Sequence, residues 1–166
     1  LVLLGDYLDS FRHSRLSQLE LMKLILEDVE AGRTQALIGN HELSYMNPDM
    51  RCSGFSSSFR QDLEYQGIIA RMRKHLKTFI YDEDAEILYT HAGLTRHNMK
   101  YMPANEELDL VEWLTENAKF PQYNGPVYDI GESRGGCDRF GGMLWCDWLW
   151  DFVLVPGITQ IFGHTA

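Results

Sequence analysis

Side chains that can bind a metal or carry a proton follow short apolar runs at four places in the sequence. In the clearest case, Ala36 to Glu42, an Ala-Leu-Ile run meets a glycine and then Asn-His-Glu. A polar turn after a buried strand would explain one such stretch. Three more apolar runs end in a carboxylate or an imidazole, and these are Leu3 to Asp6, Ile87 to His91 and Thr159 to His164. Because the pattern recurs, we interpret these strand ends as parts of a functional site.

Metal binding is the chemistry that these residue types offer together. The candidate donors are the Asp6 carboxylate, the Asn40 amide oxygen and the imidazoles of His41, His91 and His164. Oxygen and nitrogen donors without a thiolate suit cations such as Mn²⁺, Fe or Zn²⁺. In an open α/β sheet the ligand site lies beyond the carboxyl ends of the strands. The four strand ends are therefore expected to point to one place.

The elements that must position these donors alternate between strand and helix. Apolar residues from Leu16 to Val29 recur at helical spacing, and Thr34 to Ile38 follows as a short predicted strand. Leu1 to Ile38 is thus predicted to be a strand–helix–strand unit with parallel strands and a right-handed crossover.

Farther along the chain, periodicity predicts two more helices and three more strands. The helices are Gln61 to Leu76 and Asn105 to Lys119, the second capped by Asn105. The strands are Thr78 to Tyr81 and Glu86 to Thr90, which form a hairpin, and Ile158 to Phe162. The glycine-rich segment Gln122 to Gly142 is predicted to be irregular and functional, because it is too long for a simple connector. This order predicts a layered α/β fold with mixed strand directions.

The amino-acid composition limits the classes of protein to which this chain can belong. The 166 residues are 45% hydrophobic, which predicts one domain over residues 1–166 with a proper core. A formal net charge of −9 argues against general nucleic-acid binding and against an anionic membrane surface. No apolar run approaches the roughly 18 residues that span a bilayer. Three cysteines without CxxC spacing favour free thiols in a reducing, cytoplasmic setting.

Four short motifs resemble those of the calcineurin-like metallophosphoesterases, most closely their phosphoprotein-phosphatase branch with its bacterial and phage members. They are GDYLDS at Gly5 to Ser10, GNHE at Gly39 to Glu42, HAG at His91 to Gly93 and GHT at Gly163 to Thr165, in the family's order. Leu144 to Asp147 adds a match to the family's Leu-Trp-x-Asp element. The resemblance implies a layered sandwich of mixed β-sheets flanked by helices, which we expect to be truncated at both ends.

The resemblance also implies a metal-dependent phosphatase. Two divalent ions, Mn²⁺ first and Fe or Zn²⁺ as alternatives, would activate a water that attacks a phosphate monoester. By the family pattern Asp6 would bridge both ions, and Asn40, His91 and His164 would bind the second ion.

His41 and Asp9 take the remaining roles that the family pattern implies. The GNHE histidine, His41, would be the general acid that protonates the leaving oxygen. The second aspartate of GDxxD, Asp9, would hydrogen-bond the imidazole and hold its charged form. Glu42 would have a mainly structural role.

The sequence departs from the family pattern at its first motif, an Asp-x-His, which is absent from these residues. We expect that motif roughly 25 to 30 residues before Asp6, one strand–helix–strand crossover upstream. The chain as written is therefore expected to hydrolyse an aryl phosphate poorly, whereas a form with its natural N-terminus should be active with Mn²⁺.

A second departure is Ser10, where the phosphoprotein phosphatases carry an arginine that grips the substrate phosphate. Another guanidinium must then bind the phosphate, since its planar fork suits bidentate contact. The candidates are Arg12, which is two residues on, and Arg134 and Arg139 in the glycine-rich segment. We favour Arg134 over Arg139, because Ser133 to Gly136 resembles the family's Arg-Gly element, although that element follows Leu-Trp-x-Asp in the family.

The expected partner is a phosphorylated substrate, either a protein or a small molecule. Two other functions stay open from the sequence: hydrolysis of nucleotides or dinucleoside polyphosphates, and a decayed phosphoesterase domain that only binds a partner. An intact His41 with Asp9 argues against decay. The aromatic cluster of Trp145, Trp148, Trp150 and Phe152 is expected to pack in a core or a lid.

Overall fold

A computed structural model of the chain describes residues 1–47, 49–102, 109–119 and 127–164. Its backbone contacts divide the chain into two compact units, Leu1–Lys77 and Thr78–Ala166. The described residues form helices and two small sheets, so the predicted α/β class is confirmed. That residues 1–166 make a single domain stays a prediction.

The first unit is built on a parallel pair of strands joined by a long helix. Its elements are β1 (Val2–Leu3), α1 (Arg15–Glu30), β2 (Gln35–Ala36), α2 (Asn40–Met46), α3 (Ser57–Tyr65) and α4 (Ile68–His75). Val2 pairs with Gln35 and Leu3 with Ala36. The predicted strand–helix–strand unit is therefore confirmed, with strands shorter than predicted.

The long helix α1 has a local start signal and one buried face. Ser14 caps it, since its hydroxyl accepts a hydrogen bond from the Ser17 amide at 3.1 Å. Leu19, Met22 and Leu26 are buried along the inner face, and α1 contacts α4. The apolar spacing that predicted the helix thus also identifies the side that packs.

One prediction for this unit is wrong, and one helix was not predicted. The predicted helix from Gln61 to Leu76 is two helices, α3 and α4, because Gly67 takes a left-handed φ of 71° between them. The apolar spacing continues across Gly67, so periodicity alone does not reveal that the helix is broken there. Helix α2, which begins at Asn40 directly after Gly39, was not predicted.

The second unit contains a mixed three-stranded sheet. Its elements are β3 (Phe79–Asp82), β4 (Ile87–Thr90), a 3₁₀ turn (Asn98–Tyr101), α5 (Leu110–Asn117), a 3₁₀ turn (Glu132–Arg134) and β5 (Thr159–Phe162). Strand β4 is central, antiparallel to β3 and parallel to β5. The predicted hairpin and the predicted mixed strand directions are confirmed.

Helix α5 is shorter than predicted at its end. Its last helical residue is Asn117, two before the predicted Lys119. Asp109 caps it, with its carboxylate accepting from the Val111 amide at 2.8 Å. The predicted cap, Asn105, lies outside the described residues.

The aromatic cluster does not pack as one body. Trp145 is buried, but Trp148 is 53% exposed and Trp150 is 79% exposed. Packing in a core or a lid is therefore wrong for these two residues. They lie in a turn where the amide of Trp150 donates to the Asp147 carbonyl. Within the described residues, no helix is long and apolar enough to cross a membrane.

Truncating the α1 core should be costly, whereas truncating its outer face should not. Leu26 is completely buried, so Leu26→Ala should lower the free energy of unfolding by about 2–5 kcal/mol through lost burial and the cavity left behind. Leu24→Ala on the same helix is the matched control, because Leu24 is 61% exposed. It should change the value by less than about 0.5 kcal/mol. Denaturant unfolding measures both, and equal losses would contradict the helix orientation.

Candidate active site

The buried carboxylate of Glu42 organises the loop that follows β1. Its Oε2 accepts hydrogen bonds from the amides of Asp6 at 2.8 Å and Gly39 at 2.9 Å. Its Oε1 accepts from the amides of Tyr7 at 2.7 Å and Leu8 at 3.0 Å. The residue is fully buried. One side chain thus ties the GDYLDS loop to the start of helix α2.

The loop that Glu42 holds has an unusual backbone. Asp6 and Asp9 both have φ of 61°, in the left-handed region that few residues other than glycine adopt. Gly39 faces this loop closely, and a Cβ at that position would overlap the carboxylate and the amide of Asp6. Such conformations persist where the surrounding structure enforces them, often at functional sites.

Asp9 and His41 form a hydrogen-bonded pair. The distance from Asp9 Oδ2 to His41 Nδ1 is 3.1 Å, as expected from the sequence. The other Asp9 oxygen accepts a hydrogen bond from the Tyr45 hydroxyl. The Asp9 side chain is 2% exposed and that of His41 is 17% exposed. Tyr45 therefore holds the Asp9 carboxylate in place, while the His41 imidazole remains accessible to solvent.

The surroundings of His41 favour its charged form. Burial alone lowers the pKa of the imidazole, but the hydrogen bond that the imidazole donates to Asp9, together with Cys52 and the charge of Asp6, raises that pKa to about 10. The Cys52 sulfur lies 3.4 Å from His41 Nδ1. No motif pointed to this cysteine, and the sequence analysis missed it.

Asp6 and Asn40 lie where the loop and helix α2 meet. The amide of His41 donates to Asp6 Oδ1 at 3.4 Å, so this carboxylate lies at the first turn of α2. Asn40 is the first residue of that helix and is 5% exposed. In the first unit, therefore, the loop and the helix bring the predicted ligands Asp6 and Asn40 to one region with the Asp9–His41 pair.

In the second unit, the ends of two neighbouring parallel strands bring His91 and His164 together. His91 follows β4 and His164 follows β5. His91 Nε2 lies 2.8 Å from His164 Nδ1, and the two rings meet at 75°. His164 has a left-handed φ of 68°. The two imidazoles therefore lie side by side at hydrogen-bond distance, and imidazole is a common ligand of divalent cations.

The predicted phosphate-binding arginines have different surroundings. Arg134 Nη2 lies 3.0 Å from Asp147 Oδ2, and its Nε is buried without a hydrogen-bond partner among the described residues. Arg12 is exposed, and its amide donates to the Ser10 hydroxyl. The guanidinium of Arg139 stacks over the Phe140 ring at 5.1 Å.

A small cavity adjoins Asp9 in the first unit. Its volume is about 200 Å³, and Asp9, Ser10, His13 and Arg15 contribute to its lining. Arg15 is held by a hydrogen bond to the Ser58 hydroxyl at 2.9 Å. The sequence analysis missed Arg15 because it lies in no motif, at the start of α1.

The chain matches the calcineurin-like phosphoesterase family over residues 1–166. It therefore belongs to that family. No curated protein and no solved structure gives a significant match. Family membership establishes a hydrolase that acts on phosphoesters with divalent metal ions.

Replacing Glu42 should destabilise the protein strongly. In Glu42→Gln an amide NH₂ replaces an oxygen that accepts backbone hydrogen bonds, so buried donors face a donor. We expect a loss of about 2–4 kcal/mol in the free energy of unfolding, measured with denaturant. Glu64→Gln is the control, since it breaks only a surface pair with Arg60 and should cost less than about 1 kcal/mol. A neutral Glu42→Gln would contradict the anchoring role.

Proposed function

We propose that this protein hydrolyses phosphate monoesters on a phosphorylated protein or small molecule, with His41 as the general acid. The observation that carries the proposal is the Asp9–His41 pair, 3.1 Å apart and partly open to solvent. A binding module has no need of a buried carboxylate that holds an imidazole in its charged form. The pair therefore supports catalysis over a decayed domain.

Metal binding is assigned by the family pattern to Asp6, Asn40, His91 and His164. The proposal includes two divalent ions, with Mn²⁺ as the first choice and Fe or Zn²⁺ as alternatives, because the donors are oxygen and imidazole nitrogen. When bound, these ions would lower the pKa of a water and so supply the nucleophile. The 2.8 Å approach of His91 to His164 supports the imidazole part of this assignment.

The proposed role of His41 is to protonate the leaving oxygen. Its Nδ1–H donates to Asp9 Oδ2, which leaves Nε2–H for the substrate. As the P–O bond breaks, the Nε2 proton moves to the departing oxygen, which leaves as an alcohol instead of an alkoxide. Tyr45 holds Asp9 in place and so keeps the imidazole oriented.

Arg134 is the proposed phosphate ligand. Its buried Nε is a donor with no partner within the described part of the chain, and a phosphate oxygen would satisfy it. Asp147 holds the Nη2 end of the guanidinium at 3.0 Å. Arg12 stays as the second candidate, and its side chain is exposed.

A cytoplasmic location is also part of the proposal. It is supported by the three cysteines, Cys52, Cys137 and Cys146, none of which is in a disulfide.

Removing the proposed acid should separate catalysis from metal binding. In the full-length protein, His41→Ala should lower turnover by roughly 10²- to 10⁴-fold, because the leaving oxygen loses its proton donor. Metal content, measured by elemental analysis, should stay nearly unchanged. His75→Ala is the control, since His75 lies on α4 and its imidazole is 3.5 Å from the Glu30 carboxylate of α1. Equal loss of metal and activity would mean that His41 is a ligand.

The leaving group provides a second control on the same variant. A nitrophenyl phosphate releases a weakly basic oxygen that needs less protonation, whereas an alkyl phosphate releases a strongly basic one. The loss in His41→Ala should therefore be at least about tenfold smaller for the nitrophenyl ester. An equal loss on both esters would exclude a proton-donor role.

A substrate comparison tests the monoester assignment itself. With Mn²⁺, kcat/KM should be at least about tenfold higher for an aryl phosphate and a phosphoserine peptide than for a dinucleoside tetraphosphate, which is about 1.4 kcal/mol of transition-state stabilisation. Adding a chelator should abolish all three activities. A preference for the dinucleoside substrate would replace the monoester proposal with phosphoanhydride hydrolysis.

A further inference from the structure

In the first unit, Cys52 lies with Asp9 and His41 in a group of side chains that could hold a metal ion. The donor atoms of Asp9, His41 and Cys52 all lie within 4.8 Å of one another. The family motifs assign Asp9 and His41 to proton transfer and assign Cys52 nothing. The cluster also differs in kind from the other predicted ligands, because it contains a thiol.

The spacing of these donors suits a tetrahedral cation. Zinc lies about 2.0 Å from nitrogen or carboxylate oxygen and about 2.3 Å from sulfur, so neighbouring donors lie roughly 3.3–3.6 Å apart. Here His41 Nδ1 is 3.1 Å from Asp9 Oδ2 and 3.4 Å from Cys52 Sγ. We propose that Asp9, His41 and Cys52 form a binding site for a thiophilic divalent cation, of which Zn²⁺ and Cd²⁺ are the representatives.

Other groups of the first unit hold Asp9 and Cys52 in place. The Tyr45 hydroxyl donates to the second oxygen of Asp9. The amide of Cys52 donates to the Ser44 hydroxyl at 3.0 Å, and the Cys52 sulfur lies 2.9 Å from the same hydroxyl. The loop therefore presents the thiol to His41 without rearrangement. Such support is what a metal site needs around its ligands.

Solvent can reach the cluster from one side. The Asp9 side chain is nearly closed off, whereas the His41 side chain is 17% exposed and Cys52 is half-buried. A cation can thus enter next to the thiol and keep a water as its fourth ligand. Binding displaces the thiol proton and the Nδ1 proton of His41 to solvent.

Occupation of this site would inhibit the phosphatase reaction. This consequence, unlike the binding itself, rests on the proposed function of His41. The cation would take Nδ1 and Asp9, and the imidazolium that protonates the leaving oxygen would be lost. Hard ions such as Mn²⁺ would not compete well, because they prefer oxygen ligands to thiolate.

Titration with Cd²⁺ tests the site through its thiolate-to-cadmium absorption. The wild-type protein, with Mn²⁺ in excess, should gain this absorption up to one equivalent of Cd²⁺. Cys52→Ser keeps a polar group of similar shape and should lose the band. Cys137→Ser, which removes an exposed thiol, is the matched control and should keep it. Circular dichroism checks the fold, with Cys52→Ala as a second variant.

Replacing the His41 imidazole provides an independent test of the cation site. Loss of a group that merely supports a ligand costs roughly 10–100-fold in metal affinity, so His41→Ala should weaken Cd²⁺ binding by at least about tenfold. No band in the wild-type protein, or a band that survives Cys52→Ser, would overturn the proposal. A Cd²⁺ affinity unchanged by His41→Ala would do the same, since cadmium would then bind a thiol alone.

The inhibition assay separates the two proposals. In the full-length protein, Cd²⁺ should inhibit the Mn²⁺-dependent reaction, and Cys52→Ser should be at least about tenfold less sensitive. A normal absorption band without inhibition would uphold the cation site and contradict the role of His41 in catalysis. Inhibition that is equal in wild type and Cys52→Ser, with no band, would place cadmium elsewhere and overturn the site.

Discussion

The four backbone amides that converge on Glu42 are the constraint on which the first unit depends. A carboxylate that is fully buried is very unfavourable unless its oxygens are satisfied, and here the amides of Asp6, Tyr7, Leu8 and Gly39 satisfy them. The loop after β1 must therefore curl around this one side chain. The left-handed backbone of Asp6 follows from that requirement, and so does the need for glycine at position 39.

Helix α2 distributes its side chains around this anchor. His41 and Tyr45 are four residues apart, so they share one face of the helix, and both reach Asp9. Glu42 is turned away by one residue and binds the loop amides instead. A helix of this length is marginal by itself. The loop after β1 contacts α2 through both Glu42 and His41. The same loop therefore stabilises the helix and fixes the geometry of the Asp9–His41 pair.

Sequence reasoning found what local pattern encodes and missed what depends on tertiary contact. The strand–helix–strand unit and the hairpin follow from apolar spacing, and the Asp9–His41 contact follows from the family motifs. Helix α2 has no apolar periodicity at Asn40 to Glu42, so its start was hidden. Cys52 lies 11 residues from His41 in the chain, and only the folded loop brings the two together. The exposure of Trp150 was missed because composition predicts burial for tryptophan.

The same contacts that make His41 a good acid also make its surroundings attractive to a soft cation. A proton and a metal ion compete for the same lone pair on Nδ1, and the Asp9 carboxylate stabilises either positive charge. Cys52 also favours the protonated imidazole, but for Zn²⁺ or Cd²⁺ its sulfur would be a direct and strong ligand. The oxygen and imidazole ligands assigned by the family pattern contain no sulfur. Metal softness therefore separates Mn²⁺, the first choice for the reaction, from Cd²⁺, which would stop it, whereas Zn²⁺ suits both sets of ligands.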